Sequence, residues 1–153
     1  MVAKQSAGIL LFRRHTVPEV LLGRLGGPLW QRRRAQNWSI PKGEYLPDEP
    51  PLAAARREFA EELGLPVPDV PLLDLGTVRQ GGGKQVWVWA GEAEIDLDQV
   101  VLGTFELQWP PRSGRLQTFE ELAEVGWCDF EQARHRLVAA QVEFLDRLTA
   151  QLG

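Results

Sequence analysis

Between Gly43 and Leu65 the chain reads GEYLPDEPPLAAARREFAEELGL. This stretch fits the pattern G-x5-E-x7-R-E-U-x-E-E-x-G-U, in which U is an aliphatic or aromatic residue, at every fixed position. The alternative is that its acidic residues form an ordinary solvated helix face, the usual meaning of a run of charges. A solvated face does not require glycine, glutamate and arginine at fixed offsets around it, so the complete pattern indicates a functional site.

The same stretch predicts a loop that leads into a helix of about three to four turns. Pro50 and Pro51 favour a helix start, because proline needs no amide partner in the first turn. Asp48 and Glu49 are expected to suit the positive end of the helix dipole. Gly64 is expected to end the helix, since glycine adopts the left-handed conformation without a Cβ clash.

Three carboxylates of this helix are predicted to lie together. Glu58, Glu61 and Glu62 stand at positions i, i+3 and i+4 and therefore share one face, while Phe59 and Leu63 lie on another face that can dock on a core. Anions this close repel one another unless a cation neutralises them. Magnesium prefers oxygen ligands and usually shares them with water and substrate phosphates, so the sequence predicts a Mg2+ site, with Mn2+ as the alternative metal.

The stretch resembles a complete Nudix box, the signature of hydrolases that act on a nucleoside diphosphate linked to another group. The resemblance implies that Glu61 and Glu62 ligate the metal ion. It implies that Glu58 is either a further ligand or the base that activates water. It also implies that Arg57 pairs with Glu49 to brace the loop against the helix.

Two further kinds of ligand follow from the same resemblance. The backbone carbonyl of Lys42 or Gly43 is expected to bind the metal ion, and Nudix enzymes often add an acidic ligand from a loop beyond the box. Glu121 is favoured for that role, because it precedes Trp127 in a segment ending GWCDFEQA that is similar to dinucleoside polyphosphate hydrolases. The remaining candidates are Glu106, Glu120 and Glu124.

The activity implied by the resemblance is attack of water on a phosphorus atom of a pyrophosphate bridge in a small nucleotide. A nucleoside triphosphate or a dinucleoside polyphosphate is the favoured substrate, and the segments FELQWPPRSG and PKGE resemble a bacterial Nudix branch of NTP pyrophosphohydrolases. One alternative is a nucleotide-sensing module without turnover. Another is removal of the 5'-terminal pyrophosphate from RNA, which requires a basic track for the following nucleotides.

Residues for substrate contact are proposed from charge and position. Lys42 lies beside the metal loop and can bind a phosphate as a mobile point charge. Trp109 and Arg112 bound the rigid, cationic segment WPPR, which can hold polyphosphate or stack on a base. The basic run 32–34 is the alternative site for the same contacts, and it is the only hint of an RNA track.

Composition sets the limits of these predictions. The chain has 153 residues, of which 44 percent are hydrophobic, and a single domain over residues 1–153 is expected. The formal net charge of −4 argues against a long nucleic acid as partner, so an anionic substrate must rely on local cations and metal.

The single Cys128 precludes an internal disulfide. The apolar run 7–12 is short and is followed by two arginines, unlike a signal peptide or membrane span. We expect a cytoplasmic protein, monomeric or homodimeric, with no membrane partner.

Runs of alternating hydrophobic and polar residues predict a series of strands, which glycine and proline residues separate. They cover Ala7–Arg13, Val20–Arg24, Trp38–Ile40, Leu72–Val78, Gln85–Glu94 and Val100–Leu107. A helix is predicted from Phe130 behind the capping residues Asp129 and Gln132, and another from about Val142 to Leu152. Strands on both sides of a central helix favour the α/β class, and the Nudix resemblance implies an α/β/α sandwich with a mixed β-sheet.

Overall fold

Residues 4–153 are described by a computed structural model, and residues 1–3 of the expected 1–153 domain lie outside this description. The strands are β1 (Gln5–Arg14), β2 (Pro18–Leu25), β3 (Trp38–Ser39), β4 (Lys42–Glu44), β5 (Leu72–Arg79), β6 (Gln85–Glu92), β7 (Thr104–Gln108), β8 (Leu116–Glu120) and β9 (Leu122–Asp129). The helices are α1 (Pro51–Leu63), α2 (Phe130–Arg136) and α3 (Val142–Leu152). Within residues 4–153, no helix has the length and apolar character needed to cross a membrane.

A mixed sheet forms the centre of the fold. Its strands lie in the order β3-β2-β1-β6-β5, and β4 and β9 extend it by pairing with β1 and β2. β1 runs parallel to β6 but antiparallel to β2 and β4. β7 and β8 form a separate two-stranded hairpin. The mixed sheet expected from the sequence is thus confirmed.

Both faces of the sheet are buried, which explains why its central strand is almost entirely apolar. Along β1, Ile9 and Leu11 belong to one core cluster together with Phe59 of α1. Leu10 belongs to the opposite cluster together with Phe144 of α3. Because successive side chains alternate across a strand, one strand supplies both cores, and the α/β/α arrangement is confirmed.

Prolines and a glycine bound helix α1, as predicted. Pro50 is the N-cap and Pro51 the first helical residue, while Gly64, at a φ of 71°, donates its N–H to the carbonyl of the last turn at 2.8 Å. Asp48 and Glu49 precede the N-cap, and no acidic side chain lies in the first turn. The two acids of the predicted helix-start signal therefore lie in the loop before α1 and not in its first turn.

The structure contains strands that the sequence analysis missed, namely β4, β8 and β9, and it shortens another. The strand expected over Val100–Leu107 begins only at β7, because the backbone before it binds the end of α1. Val101 and Gly103 donate their N–H groups to the carbonyls of Leu63 and Glu62, each at 2.9 Å. β8 lacked a signal because its side chains are almost all exposed, so no burial pattern marks them.

The start of α2 is held by a reciprocal capping box, as predicted. The Gln132 N–H donates to Asp129 Oδ1 at 2.7 Å, and the Asp129 N–H donates to Gln132 Oε1 at 3.1 Å. Both hydrogen bonds satisfy amides that have no partner inside the helix.

We expect Asp129→Ala to lower the free energy of unfolding by about 1 kcal/mol, because the cap is lost. Urea denaturation measures this change. Asp69→Ala is the matched control: Asp69 is exposed in the loop before β5, and its removal is expected to change stability by less than about 0.5 kcal/mol. Equal effects of the two substitutions would contradict the capping role.

Candidate active site

Arg57 joins α1 to the loop that precedes it. Its Nε and Nη2 atoms donate to the two carboxylate oxygens of Glu49 at 2.9 and 3.0 Å, a bidentate pair. Its Nη1 atom donates to Glu58 at 2.8 Å. Hydrogen bonding to Arg57 lowers the pKa of Glu49, and the same bond raises the pKa of Arg57. The structure thus contains the ion pair that the sequence analysis expected between loop and helix.

Gly43 allows the backbone of β4 to lie against a carboxylate of α1. β4 pairs with β1 so that Gly43 stands opposite Ala7. A Cβ atom at position 43 would lie 2.0 Å from the carboxyl carbon of Glu58, far inside van der Waals contact. A larger residue at position 43 therefore fits only if the Glu58 carboxylate moves.

Glu62 is the buried carboxylate of the cluster. The residue is 6% exposed, and its Oε2 atom is enclosed without any hydrogen-bond partner within residues 4–153. Burial, followed by the negative charges of Glu121 and Glu58, raises the pKa of Glu62 to about 9, although Lys42 opposes the shift by its charge and its backbone N–H. An unpaired buried polar atom costs about 1–3 kcal/mol, so Glu62 is arranged for a partner from outside the chain.

Glu61 and Glu121 complete the acidic cluster. The Glu61 side chain is largely exposed, and its two oxygens accept from Arg57 Nη1 at 3.2 and 3.3 Å. Glu121 lies between β8 and β9, where its N–H donates to the carbonyl of Gly103 at 3.0 Å. Burial and then the charges of Glu58 and Glu61 raise the pKa of Glu121. Gly103, whose N–H binds the end of α1, therefore also positions Glu121 beside that helix.

The other acidic candidates beyond the box have different surroundings. Glu106 and Glu120 are exposed on the β7–β8 hairpin. Glu124 accepts a hydrogen bond from Arg24 Nε at 2.8 Å. The charge of Glu121, in contrast, acts on Glu62 and raises its pKa.

A cavity of about 240 Å³ opens beside the acidic cluster. Lys42 and Gly43 of β4 line it, together with Trp30, Gln80 and Lys84 from two loops. Burial lowers the pKa of Lys42, and the charge of Lys84 acts in the same direction. The sequence analysis found Lys42 but missed the three loop residues, whose only signal was their place beside the glycine runs 26–27 and 81–83.

Trp109 and Arg112, the proposed substrate contacts, lie at the tip of the β7–β8 hairpin. Glu121 comes directly after the paired residues at one end of this hairpin, its base. Trp109 and Arg112 lie in the turn beyond the paired residues at the other end, its tip. The tip lies about 13 Å further along the strands than the base. Neither residue lines the cavity beside β4, so the structure does not bring them together with the acidic cluster.

The oxygen atoms of the cluster suit a hard divalent cation. The available donors are carboxylates and backbone carbonyls, and Glu62 offers a buried oxygen to which no described residue binds. As they stand, no three His, Cys, Asp or Glu side chains within residues 4–153 form a group that could hold a metal ion. In this arrangement Arg57 donates hydrogen bonds to both Glu58 and Glu61. A cation at this place has to compete with Arg57 for those two carboxylates.

Comparison with known sequences identifies related proteins. A family model described as NUDIX domain matches residues 3–148. An RNA pyrophosphohydrolase of Proteus mirabilis is 43% identical over 61 residues, which cover 39% of this chain and 35% of that protein. The asymmetrical bis(5'-nucleosyl)-tetraphosphatase of Rattus norvegicus is 30% identical over 99 residues, which cover 61% of this chain and 67% of that protein. The match spans only about a third of the bacterial relative.

Comparison with solved structures shows the same fold. A binary complex of the C. elegans Ap4A hydrolase has a TM-score of 0.66 at 21% identity, covering 98% of both chains. The NUDIX domain of Shewanella oneidensis NrtR, complexed with ADP ribose, has a TM-score of 0.69 at 15% identity, covering 100% of this chain and 90% of that one. These likenesses establish the architecture of the sandwich.

We expect Gly43→Ala to lower the free energy of unfolding by about 1–3 kcal/mol, because the added methyl group displaces the Glu58 carboxylate. Urea denaturation of the metal-free protein measures the loss. Gly81→Ala is the matched control, since nothing lies within 4 Å of a Cβ atom placed there. A Gly43→Ala protein as stable as the control would refute the close approach.

Glu62→Gln is expected to stabilise the metal-free protein at pH 8. Folded Glu62 keeps its proton up to a pKa of about 9, whereas the unfolded chain loses it near the ordinary value of 4.5. Between these values unfolding releases a proton, so stability falls as the pH rises. Glutamine cannot ionise, and the melting temperature of the variant should exceed that of the wild type by about 2–4 °C.

Thermal unfolding at pH 5 and pH 8 measures this effect, and the gap between the two proteins should be larger at pH 8. Added Mg2+ should raise the melting temperature of the wild type more than that of the variant, because it binds the ionised carboxylate. Glu106→Gln, on the exposed hairpin, is the control. A variant that follows the pH dependence of the wild type would contradict the burial of Glu62 as a protonated acid.

Proposed function

This chain belongs to the Nudix family, and we propose that it hydrolyses a pyrophosphate bond in a nucleoside diphosphate derivative, with Mg2+ as the cofactor and Mn2+ as the alternative. Nudix hydrolases generally use divalent cations. The observation that carries the proposal is Glu62 Oε2, a buried oxygen inside an acidic cluster that has no hydrogen-bond partner among residues 4–153. A cluster of this kind suits a cation that is shared with substrate phosphates.

In this proposal the metal ion is held by Glu58, Glu61, Glu62, Glu121 and the backbone carbonyl of Gly43. Bound there, it would lower the pKa of the attacking water and neutralise charge on the phosphate oxygens. Arg57 and Glu49 keep the loop and helix at a fixed separation, because their bidentate pair spans the two. Glu58 serves either as a ligand or as the acceptor of the water proton.

The proposed substrate is a nucleoside triphosphate or a dinucleoside polyphosphate. Lys42 and Lys84 line the neighbouring cavity together with Glu44, and the two cations suit the phosphate chain of such a ligand. Relatives named for Ap4A and for bis(5'-nucleosyl)-tetraphosphate favour the same class. Trp109 and Arg112 remain proposed contacts only for a substrate long enough to reach the hairpin tip.

Removal of pyrophosphate from RNA 5' ends is the second candidate. The bacterial relatives that carry this name share 43% identity with the chain, but only over 61 residues. Residues 32–34 form an exposed basic run in the loop between β2 and β3 that could contact following nucleotides. The net charge of −4 argues against a long nucleic acid. We therefore favour a small nucleotide as the substrate. A cytoplasmic location and a monomeric or homodimeric state remain proposals from the sequence.

The activity is tested by incubating the purified protein with Mg2+ and a panel of nucleoside triphosphates, dinucleoside polyphosphates, ADP-ribose and a short triphosphorylated RNA. We expect hydrolysis of a mononucleotide or dinucleotide substrate. Glu62→Gln should slow it by at least about a hundredfold, equivalent to about 2.7 kcal/mol of transition-state stabilisation. Chromatography of the phosphate-containing products measures the rate.

Glu121→Gln and Glu106→Gln form a matched pair for the ligand beyond the box. We expect the first to reduce the rate and the second to leave it unchanged, because Glu106 is exposed on the hairpin. Binding of the nucleotides without any product would favour the sensing module instead. A faster reaction with the RNA at moderate salt would favour the RNA alternative.

A further inference from the structure

Gln141 is a fully buried carboxamide at the end of the turn before α3. Its Oε1 atom accepts the backbone N–H of Ile40 at 2.8 Å, and its Nε2 atom donates to Ser39 Oγ at 3.0 Å. Ser39 Oγ donates in turn to the carbonyl of Ile40 at 2.7 Å. The carboxamide therefore binds the N–H of Ile40 directly and its carbonyl through Ser39.

Ile40 and Pro41 lie in an interval of the sheet where such a partner is needed. These residues fall between β3 and β4 and belong to neither strand. The Pro41 carbonyl accepts the N–H of Ile9 of β1 at 3.1 Å. A buried backbone N–H needs a hydrogen-bond partner, and Gln141 supplies the one for Ile40. The interval is thus held both by β1 and by Gln141.

The segment that carries Gln141 is itself anchored. The Val138 N–H donates to the carbonyl of Trp38 at 2.9 Å, and the Gln141 N–H donates to the carbonyl of Val138 at 3.0 Å. The helix that follows, α3, is fixed in the core by Phe144 and Leu145, both fully buried. Because its own backbone is held in this way, the Gln141 carboxamide can keep the interval at a definite position.

The backbone of this interval leads directly into the candidate active site. Lys42, two residues after Ile40, begins β4. β4 lies so close to α1 that a Cβ atom added to Gly43 would be 2.0 Å from the carboxyl carbon of Glu58. The backbone N–H of Lys42 forms a hydrogen bond with Glu62 that favours its charged form. A displacement of Ile40 therefore moves β4 relative to both carboxylates.

We propose that Gln141 is a positioning residue for the metal site, whose carboxamide keeps β4 at the distance from Glu58 and Glu62 that the metal ion requires. It acts through the backbone of Ile40. Groups that orient metal ligands from behind typically change metal affinity by roughly 10–100-fold when they are removed. The role rests on the proposed function, which supplies the metal ion and a backbone carbonyl of β4 as one of its ligands.

Amide hydrogen exchange of the metal-free protein tests whether Gln141 holds this backbone. Gln141→Met keeps the length of the side chain and removes both of its hydrogen-bonding atoms. We expect the amides of Ile40 and Lys42 to exchange at least about tenfold faster than in the wild type, relative to the amides of β6, which report global unfolding. Nuclear magnetic resonance measures these rates residue by residue.

Binding of Mn2+ alone tests whether that position matters to the metal ion. The electron paramagnetic resonance signal of free Mn2+ gives the dissociation constant without substrate or turnover. We expect Gln141→Met to weaken Mn2+ binding by at least about tenfold. With a substrate from the panel, the Mg2+ concentration for half-maximal rate should rise by the same factor, while the KM for the nucleotide at saturating Mg2+ stays unchanged.

Leu148→Ala is the matched control, because it truncates a fully buried side chain of α3 and leaves the hydrogen bonds of Gln141 in place. It should lower global stability and change neither the relative exchange of Ile40 nor the Mn2+ affinity. Ser39→Ala removes only the hydroxyl that links Gln141 to the Ile40 carbonyl, so it should give a smaller change in the same direction. It replaces Gln141→Met if that variant does not fold.

Exchange at Ile40 and Lys42 that keeps its wild-type ratio to β6 in a folded Gln141→Met protein would overturn the proposal. Wild-type Mn2+ affinity in that variant, or an equal loss of affinity in Leu148→Ala, would overturn it as well. Failure of the wild type itself to bind Mn2+ would count against the proposed function and against the metal role of Gln141 alike. Equal Mn2+ binding and equal hydrolysis by all of these proteins would leave the proposed function standing and remove only the role of Gln141.

Discussion

The concentration of negative charge around a buried Glu62 is the constraint on which the site depends. Glu58 and Glu121 lie close enough to raise the pKa of Glu62, and burial raises it further. Arg57 compensates part of this charge by binding Glu49, Glu58 and Glu61. In the part of the chain that the structure describes, one oxygen of Glu62 is still left without a hydrogen-bond partner. Such an arrangement is costly for the protein alone and favourable only when a cation enters, which is the physical basis of the proposed metal-dependent hydrolysis.

The sheet and its two cores hold this charge in place. α1 packs against one face of the sheet through Phe59 and Leu63, both fully buried. This packing positions Glu58 and Glu62 relative to β4. The segment that follows, residues 101–103, binds the end of α1 through backbone hydrogen bonds. Gly103 in turn holds Glu121, so a residue distant in sequence joins the cluster through the backbone. Each carboxylate is thus positioned by a different part of the fold.

The acidic cluster and the adjoining cavity have different consequences for function. In the proposal the cluster accounts for the type of reaction, and all of its carboxylates except Glu121 lie in the motif of the family that the chain belongs to. Strands supply more than half of the residues that line the cavity, and two loops add Trp30, Gln80 and Lys84. Similar structures at 15 to 21% identity establish the fold but not the substrate. The choice of substrate then depends on loops such as these. The chemistry of the cavity, rather than that of the cluster, is therefore where a choice among nucleotides can be made.

From the sequence by itself, the helix with its proline start and glycine end, the shared face of Glu58 and Glu62, the capped start of α2 and the α/β class were predictable. These features depend on neighbours a few residues apart, so local spacing and local backbone chemistry determine them. The close approach of Gly43 to the Glu58 carboxylate, the burial of Glu62 and the cavity that both Gln80 and Trp30 line became visible only in the tertiary structure. These features bring together segments that are distant along the chain. Burial where such segments contact one another depends on tertiary packing, which the periodicity of a sequence does not encode.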